Sequence, residues 1–385
     1  MKLSERVEGI TPSGSIKISE KITQLRANGK KIIGLNVGEP DFSSHPSVLE
    51  GTKKALDEGL TKYSLVAGEN VLREEIINYY NERFHTSFKA SNVLVGNGSK
   101  QIIYNAFQAL LNEGDEVIIP VPYWVTIPES VKLAGGKNVF VPVKKDFHLD
   151  LEAIKKAVTS KTKLIYINTP NNPSGVSYTK KEMMEIEKIL IENDLYLLSD
   201  EAYEALIYED EFVSPASLSV ELAKRTVCVQ SFSKSFCMTG FRLGYMIAPE
   251  SFIKKVGSFQ GHLCGNVPPF TQYGAVAALK ARDQIIPPLI KTMKERRDLS
   301  ISLFKDLFEF THPSGAFYLF FNIEPYINKG LVKNSTEMVE LLIDKAGVAL
   351  VPGLFFGMDN YIRLAYTAHS DEIKEAYERI KEVLK

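Results

Sequence analysis

Between about residue 90 and residue 250 the chain alternates short β-rich runs with longer helical patterns, and this constrains its fold more than any other feature. The runs are NVLVGN, EVIIP, NVFVPV, KLIYIN, LYLLSD, TVCVQS and LGYMIA. Such an order predicts an α/β fold with a mostly parallel sheet flanked by helices on both faces. Ligands of these sheets gather at the carboxyl ends of the strands. Beyond residue 285 the pattern changes. A long charged helix around IIPPLIKTMKERRDLSISLFKDL leads to strands near GAFYLFFNI, VALVPG and YIRLAY, then to a helix, SDEIKEAYERIKEVLK. With 385 residues available for two domains, we expect a large domain over residues 46–285 and a smaller α+β domain over 286–385, joined by the N-terminal segment 1–45.

Composition narrows the class. A formal net charge of −1 argues against nucleic acid or an anionic membrane as the main partner. The first residues carry scattered charges and no apolar core segment, so they do not read as a secretory signal, and no stretch approaches a membrane span. The three cysteines, Cys228, Cys237 and Cys264, show no metal-ligand or CxxC spacing. We therefore expect no metal and a reduced, cytoplasmic setting.

The chemistry concentrates in SFSKSFCMTGFRLGY, residues 231–245. Lys234 lies among small and aromatic residues, where desolvation lowers an amine's pKa and makes it nucleophilic. Arg242 and the Ser231 hydroxyl offer donors that suit a phosphate monoester. Taken alone, the run reads first as a surface lysine and an ion-paired arginine. Upstream, GNGSKQ (residues 96–101) stands between a strand run and a helix pattern, an arrangement that makes an anion site from unpaired N–H groups. A dinucleotide fingerprint would need a third glycine at position 101, which is Gln101.

The run SxSKxxxMTGxRxGY resembles the pyridoxal-phosphate lysine segment of the class I aminotransferases, in the fold-type I group, and bacterial aspartate aminotransferases above all. The resemblance extends over essentially the whole chain, motif by motif. It implies pyridoxal 5′-phosphate as cofactor, bound by residues 46–285, with Lys234 joined to its aldehyde and acting as the catalytic base. Ser231, Ser233 and Arg242, with Gly98, Ser99 and Lys100 of the glycine turn, belong to the cofactor site. Trp124, the only tryptophan, matches the residue that stacks on the cofactor ring. Asn172 of INTPNNPSG and Tyr203 of SDEAYEALIY match residues that meet the phenolic oxygen, and Asp200 matches the acid that keeps the ring nitrogen protonated. Without the resemblance, Asp200 reads as a helix cap. Gly38 of NVGEPDF matches a substrate-loop glycine, and Arg363 of YIRLAYTAHS the receiver of the substrate α-carboxylate. Trp124, Asn172 and Lys100 also border the substrate.

Tyr63 of TKYSLVAG matches a tyrosine that crosses a dimer interface to the neighbouring subunit's phosphate, implying a homodimer with shared sites. Taken alone, it reads as a core aromatic. The implied reaction is transfer of an amino group between an amino acid and a 2-oxo acid. Lys100 matches a lysine near the distal carboxylate of dicarboxylic substrates, so aspartate with 2-oxoglutarate is the first choice. An aromatic or broad-specificity aminotransferase is the alternative, followed by a C–S lyase or decarboxylase. No second arginine is dedicated to the distal carboxylate, and His262 and QGHLCGNVPP leave the pocket open. Transcription regulators carry the same fold behind a DNA-binding domain, which we do not expect here because the aminotransferase pattern starts within the first few dozen residues.

Overall fold

Each of the seven apolar runs forms a strand of one sheet in the computed structural model, which describes residues 2–11, 14–209 and 211–385. After a two-residue strand β1 (Ile33–Gly34), the sheet strands are β2 (Val93–Gly96), β3 (Glu116–Val121), β4 (Lys137–Pro142), β5 (Thr162–Asn168), β6 (Tyr196–Asp200), β7 (Thr226–Ser231) and β8 (Gly244–Ile247). Their order is β2-β8-β7-β6-β5-β3-β4. Only β8 runs antiparallel to its neighbours. The inner strands β6, β7 and β8 are buried almost throughout, as a sheet covered on both faces requires, whereas β4 at the edge alternates toward solvent and leaves Phe140 half exposed.

This topology brings Gly96, Asn168, Asp200 and Ser231, the last residues of β2, β5, β6 and β7, to one edge of the sheet. Arg242 arrives there from the other direction, two residues before β8. The turn after β2 is built on Gly98, whose φ of 85° suits glycine, and opens the helix Ser99–Leu110. A Cβ at Gly244 would press on the backbone of Gly98 and Ser99, so glycine lets this turn close over β8.

The charged helix extends over Arg282–Phe304 and precedes β9 (Tyr318–Asn322). The VALVPG run divides into β10 (Val348–Ala349) and β11 (Val351–Pro352), and β12 (Tyr361–Ala365) precedes the helix Ser370–Leu384. β11, β12 and β9 form an antiparallel sheet, while β10 pairs in parallel with β1. One apolar cluster joins these strands to residues beyond β6, with Leu35, Phe321, Ile362 and Leu364 packed together with Ala202 and Tyr203. The segment after β6 is thus held between the large sheet and the C-terminal strands. Among the described residues, no helix is long and apolar enough to cross a membrane.

Candidate active site

The edge of the sheet opens into a cavity of about 680 Å³. One end is rich in anion-seeking groups. The helix Ser99–Leu110 has no side chain capping its first N–H groups, and Ser99 and Lys100 line the cavity beside them. The Ser231 hydroxyl accepts the Ser233 N–H at 3.1 Å, which leaves its own proton free to donate. Arg242 has a left-handed backbone and gives one arm, Nη1, to Thr239 O at 2.8 Å. Its Nη2 lies beside Gly98, where an added Cβ would come within 2.9 Å of it. Lys100 lies over the Trp124 ring at 5.4 Å. Burial, and then the charge of Arg242, lowers the Lys100 pKa.

Lys234 lines the same cavity, where its Nζ donates to Gly38 O at 2.6 Å. Burial lowers its pKa to about 8, Arg363 and Arg242 act in the same direction, and Glu39 and Asp200 oppose them. Asp200 ends β6 with its side chain buried. Burial raises its pKa to about 6, against hydrogen bonds from Ala202 N at 3.3 Å and Tyr166 Oη at 3.2 Å. A turn rather than a helix follows Asp200, so the helix-cap reading does not apply. Tyr203, in that turn, shares a hydrogen bond of 2.8 Å with the Tyr318 hydroxyl.

Arg363 enters from β12 and is 5% exposed. Nη1 donates to Asn172 Oδ1 at 2.9 Å and Nη2 to Asn36 O at 2.7 Å. Its Nε has no partner, and among the described residues no carboxylate pairs with it, so no salt bridge accounts for its burial. The guanidinium rests instead between the Tyr318 and Phe356 rings, at 4.4 and 5.0 Å. A buried cation with a spare donor is a ready receiver for a carboxylate.

Residues 30–380 match the family model for aminotransferases of class I and II. The chain belongs to that family. It is 39% identical to a probable aspartate/prephenate aminotransferase of Aquifex aeolicus, across 99% of this chain and 98% of that one. It is 38% identical to an aspartate aminotransferase of Bacillus subtilis, with the same coverage. The Thermus thermophilus aspartate aminotransferase solved with maleate superimposes with a TM-score of 0.95 at 34% identity, covering both chains completely.

Of the residues chosen from sequence, this aminotransferase brings Gly38, Ser99, Lys100, Trp124, Asn172, Asp200, Tyr203, Ser231, Ser233, Lys234, Arg242 and Arg363 to the one cavity. Gly98 stands behind it, against Arg242. Tyr63 lies outside and is 97% exposed, so it is not a core aromatic. His262, on the helix Glu250–Leu263, is exposed and does not line the cavity. Sequence reasoning missed Tyr166, Asn168 and Tyr318. Asn168 accepts the Asn172 N–H at 2.7 Å and donates to Asp200 O at 3.0 Å, fixing two neighbouring loops. Its signal was its place at the carboxyl end of β5. Tyr318 lies within an apolar strand, and nothing in that pattern marks its hydroxyl.

Proposed function

We propose that this aminotransferase uses pyridoxal 5′-phosphate to exchange an amino group between L-aspartate and 2-oxoglutarate, giving oxaloacetate and L-glutamate. The observation that carries the reading is Lys234. Its pKa is lowered to about 8, and it sits in one cavity between the anion-seeking end at Ser99, Ser231 and Arg242 and the carboxylate-seeking Arg363. The residues fit the cofactor. The uncapped helix start, the free Ser231 proton and Arg242 suit its phosphate. Trp124 offers a flat wall, and Asp200 is a buried acid in need of a cation. Asn172 and Tyr203 supply donors for the phenolic oxygen.

Pyridoxal phosphate, when bound, acts as an electron sink for the bonds of the substrate α-carbon. Arg363 holds the α-carboxylate, with Asn172 and the Gly38 backbone beside it. Lys234 Nζ would take the α-proton as a neutral amine and, then charged, deliver it to the cofactor carbon that carries the substrate nitrogen, as base and then acid. Asp200 keeps a proton on the ring nitrogen by offering a buried negative charge. Water supplies the oxygen with which the donor leaves as a 2-oxo acid, its amino group would remain on the cofactor, and a second 2-oxo acid takes that group up by the reverse steps, so the kinetics are ping-pong.

Lys100 faces the distal carboxylate, a role supported by its position over Trp124 in the cavity. The names of the Bacillus and Thermus relatives support aspartate. Tyr63, held out in solvent, reaches the phosphate of a second copy in a homodimer with shared sites. We assign the cytoplasm as location and residues 46–285 as the cofactor domain. The β1–β10 pairing supports grouping segment 1–45 with 286–385.

Purified protein with bound cofactor should be yellow and lose that band on adding aspartate. Borohydride reduction and peptide mapping should place the label on Lys234; a label on Lys100 defeats the assignment. Rates across a panel of donors with 2-oxoglutarate should favour aspartate, and equal rates for phenylalanine would instead select a broad-specificity enzyme.

A further inference from the structure

Tyr318 touches three parts of the site at once, and none of the roles above uses it. Its ring lies 4.4 Å from the Arg363 guanidinium carbon. Its hydroxyl is 2.8 Å from that of Tyr203. The same hydroxyl fills the space in front of Gly38, where an added Cβ would collide with it. The side chain is 1% exposed and borders the cavity.

These contacts answer two needs of the buried site. Arg363 is nearly inaccessible, no carboxylate among the described residues pairs with it, and its Nε is unsatisfied. An aromatic face stabilises such a cation without consuming the donors that a carboxylate requires. An acidic neighbour would occupy those donors and close the receiver. The second need concerns Tyr203, which has one proton to give. A hydrogen bond donated by Tyr318 to Tyr203 Oη leaves that proton free to point into the cavity, and polarises it.

We propose that Tyr318 is a positioning residue for both ends of the reacting centre: its ring keeps Arg363 open for the substrate α-carboxylate, and its hydroxyl donates to Tyr203 so that the Tyr203 proton faces the cofactor's phenolic oxygen. The proposal rests on the pyridoxal-phosphate reading and divides Tyr318 into two separable parts. Tyr318→Phe keeps the ring and removes the hydroxyl. Tyr318→Leu removes both.

Trp124, the only tryptophan, lines the cavity, so its fluorescence reports binding without turnover. In the wild-type protein it should respond to pyridoxal phosphate, and then to succinate as a dicarboxylate without an amino group. Tyr318→Leu should weaken succinate roughly tenfold or more while holding pyridoxal phosphate within about threefold, because the phosphate cradle lies elsewhere. Tyr318→Phe should hold succinate within about threefold. In the yellow holoprotein, however, Tyr318→Phe should move the pH-dependent absorbance change upward by about half a unit or more. A phenolate that receives a weaker hydrogen bond is more basic and keeps its conjugated proton to higher pH.

Wild-type succinate affinity in Tyr318→Leu, or an unmoved absorbance midpoint in Tyr318→Phe, overturns the proposal. So does equal loss of both ligands in Tyr318→Leu, which assigns the side chain to packing alone. A wild-type protein that takes up pyridoxal phosphate but no succinate also overturns it. One that takes up neither refutes the cofactor reading beneath it. If Tyr318→Leu does not fold, the absorbance midpoint of Tyr318→Phe still decides.

Discussion

Arg363 donates to Asn172 Oδ1 at 2.9 Å, joining residues 191 positions apart across the cavity. The bond aims one arm of a planar fork, and a lysine ammonium cannot reproduce both this contact and that to Asn36 O. Arg363→Lys should therefore raise KM for every amino donor alike, by about 10- to 150-fold, equivalent to roughly 1.5–3 kcal/mol for a lost charge-assisted bond. Steady-state kinetics with aspartate, alanine and phenylalanine check this. A penalty confined to aspartate would place Arg363 at the distal carboxylate.

Asp200 is a buried carboxyl whose nearest donors, Tyr166 and Ala202, are neutral. Asp200→Asn preserves shape and removes the charge. The bound cofactor should persist, while the α-proton is removed more slowly by orders of magnitude. Stopped-flow bleaching of the cofactor band by aspartate measures the step directly. Near wild-type bleaching would reduce Asp200 to a turn-former.

Tyr63 is almost fully exposed in the single chain. If it completes the site of a second copy, mixing inactive Lys234→Ala and inactive Tyr63→Ala dimers should restore activity. One site of each mixed dimer then carries both lesions and the other carries neither. No recovery despite demonstrated subunit exchange would assign Tyr63 to its own subunit.

Lys100 borders both the phosphate end and Trp124. Lys100→Ala should raise KM for aspartate and 2-oxoglutarate while sparing alanine and phenylalanine, an effect on the order of 1–3 kcal/mol. An equal loss for acidic and neutral donors would make it a phosphate residue.

Glu182 offers a test on stability. Burial works to raise its pKa, but hydrogen bonds from His148, at 3.0 Å, and from Thr179 outweigh it and hold the carboxyl at about 2 against an ordinary 4.5. The folded state therefore binds the proton less tightly than the unfolded chain. The stabilisation is complete above about pH 4.5 and is lost as pH falls toward 2. Glu182→Gln should destabilise the protein at neutral pH by on the order of 1–3 kcal/mol, with the gap to wild type closing on acidification. Denaturant titrations at pH 7 and pH 3 give the comparison, and a gap that does not change with pH would assign the loss to packing.

The strands and the residues at their carboxyl ends were legible in sequence because both rest on local signals. Apolar runs bounded by turn residues specify β6 and β7, and a strand that ends in Asp200 or Ser231 delivers that side chain to the sheet edge whatever its neighbours are. Gly98 likewise announces its turn, since glycine readily adopts the left-handed backbone found there. Which side chains then face one another depends on strand order and on packing between distant segments, and periodicity carries no record of either. Tyr203 and Tyr318 are 115 positions apart, and their hydroxyl pair exists only because β9 packs over the turn that follows β6. The VALVPG run reads as one strand, yet its halves pair with β1 and β12, since two different partners compete for its backbone. Tyr63, taken alone, read as a core residue and is instead 97% exposed, because burial belongs to the folded surface rather than to the residue. Sequence therefore determined which groups reach the site, and the tertiary structure alone decided that Arg363 rests on aromatic rings with a donor to spare, because only folding brings β9 and β12 side by side.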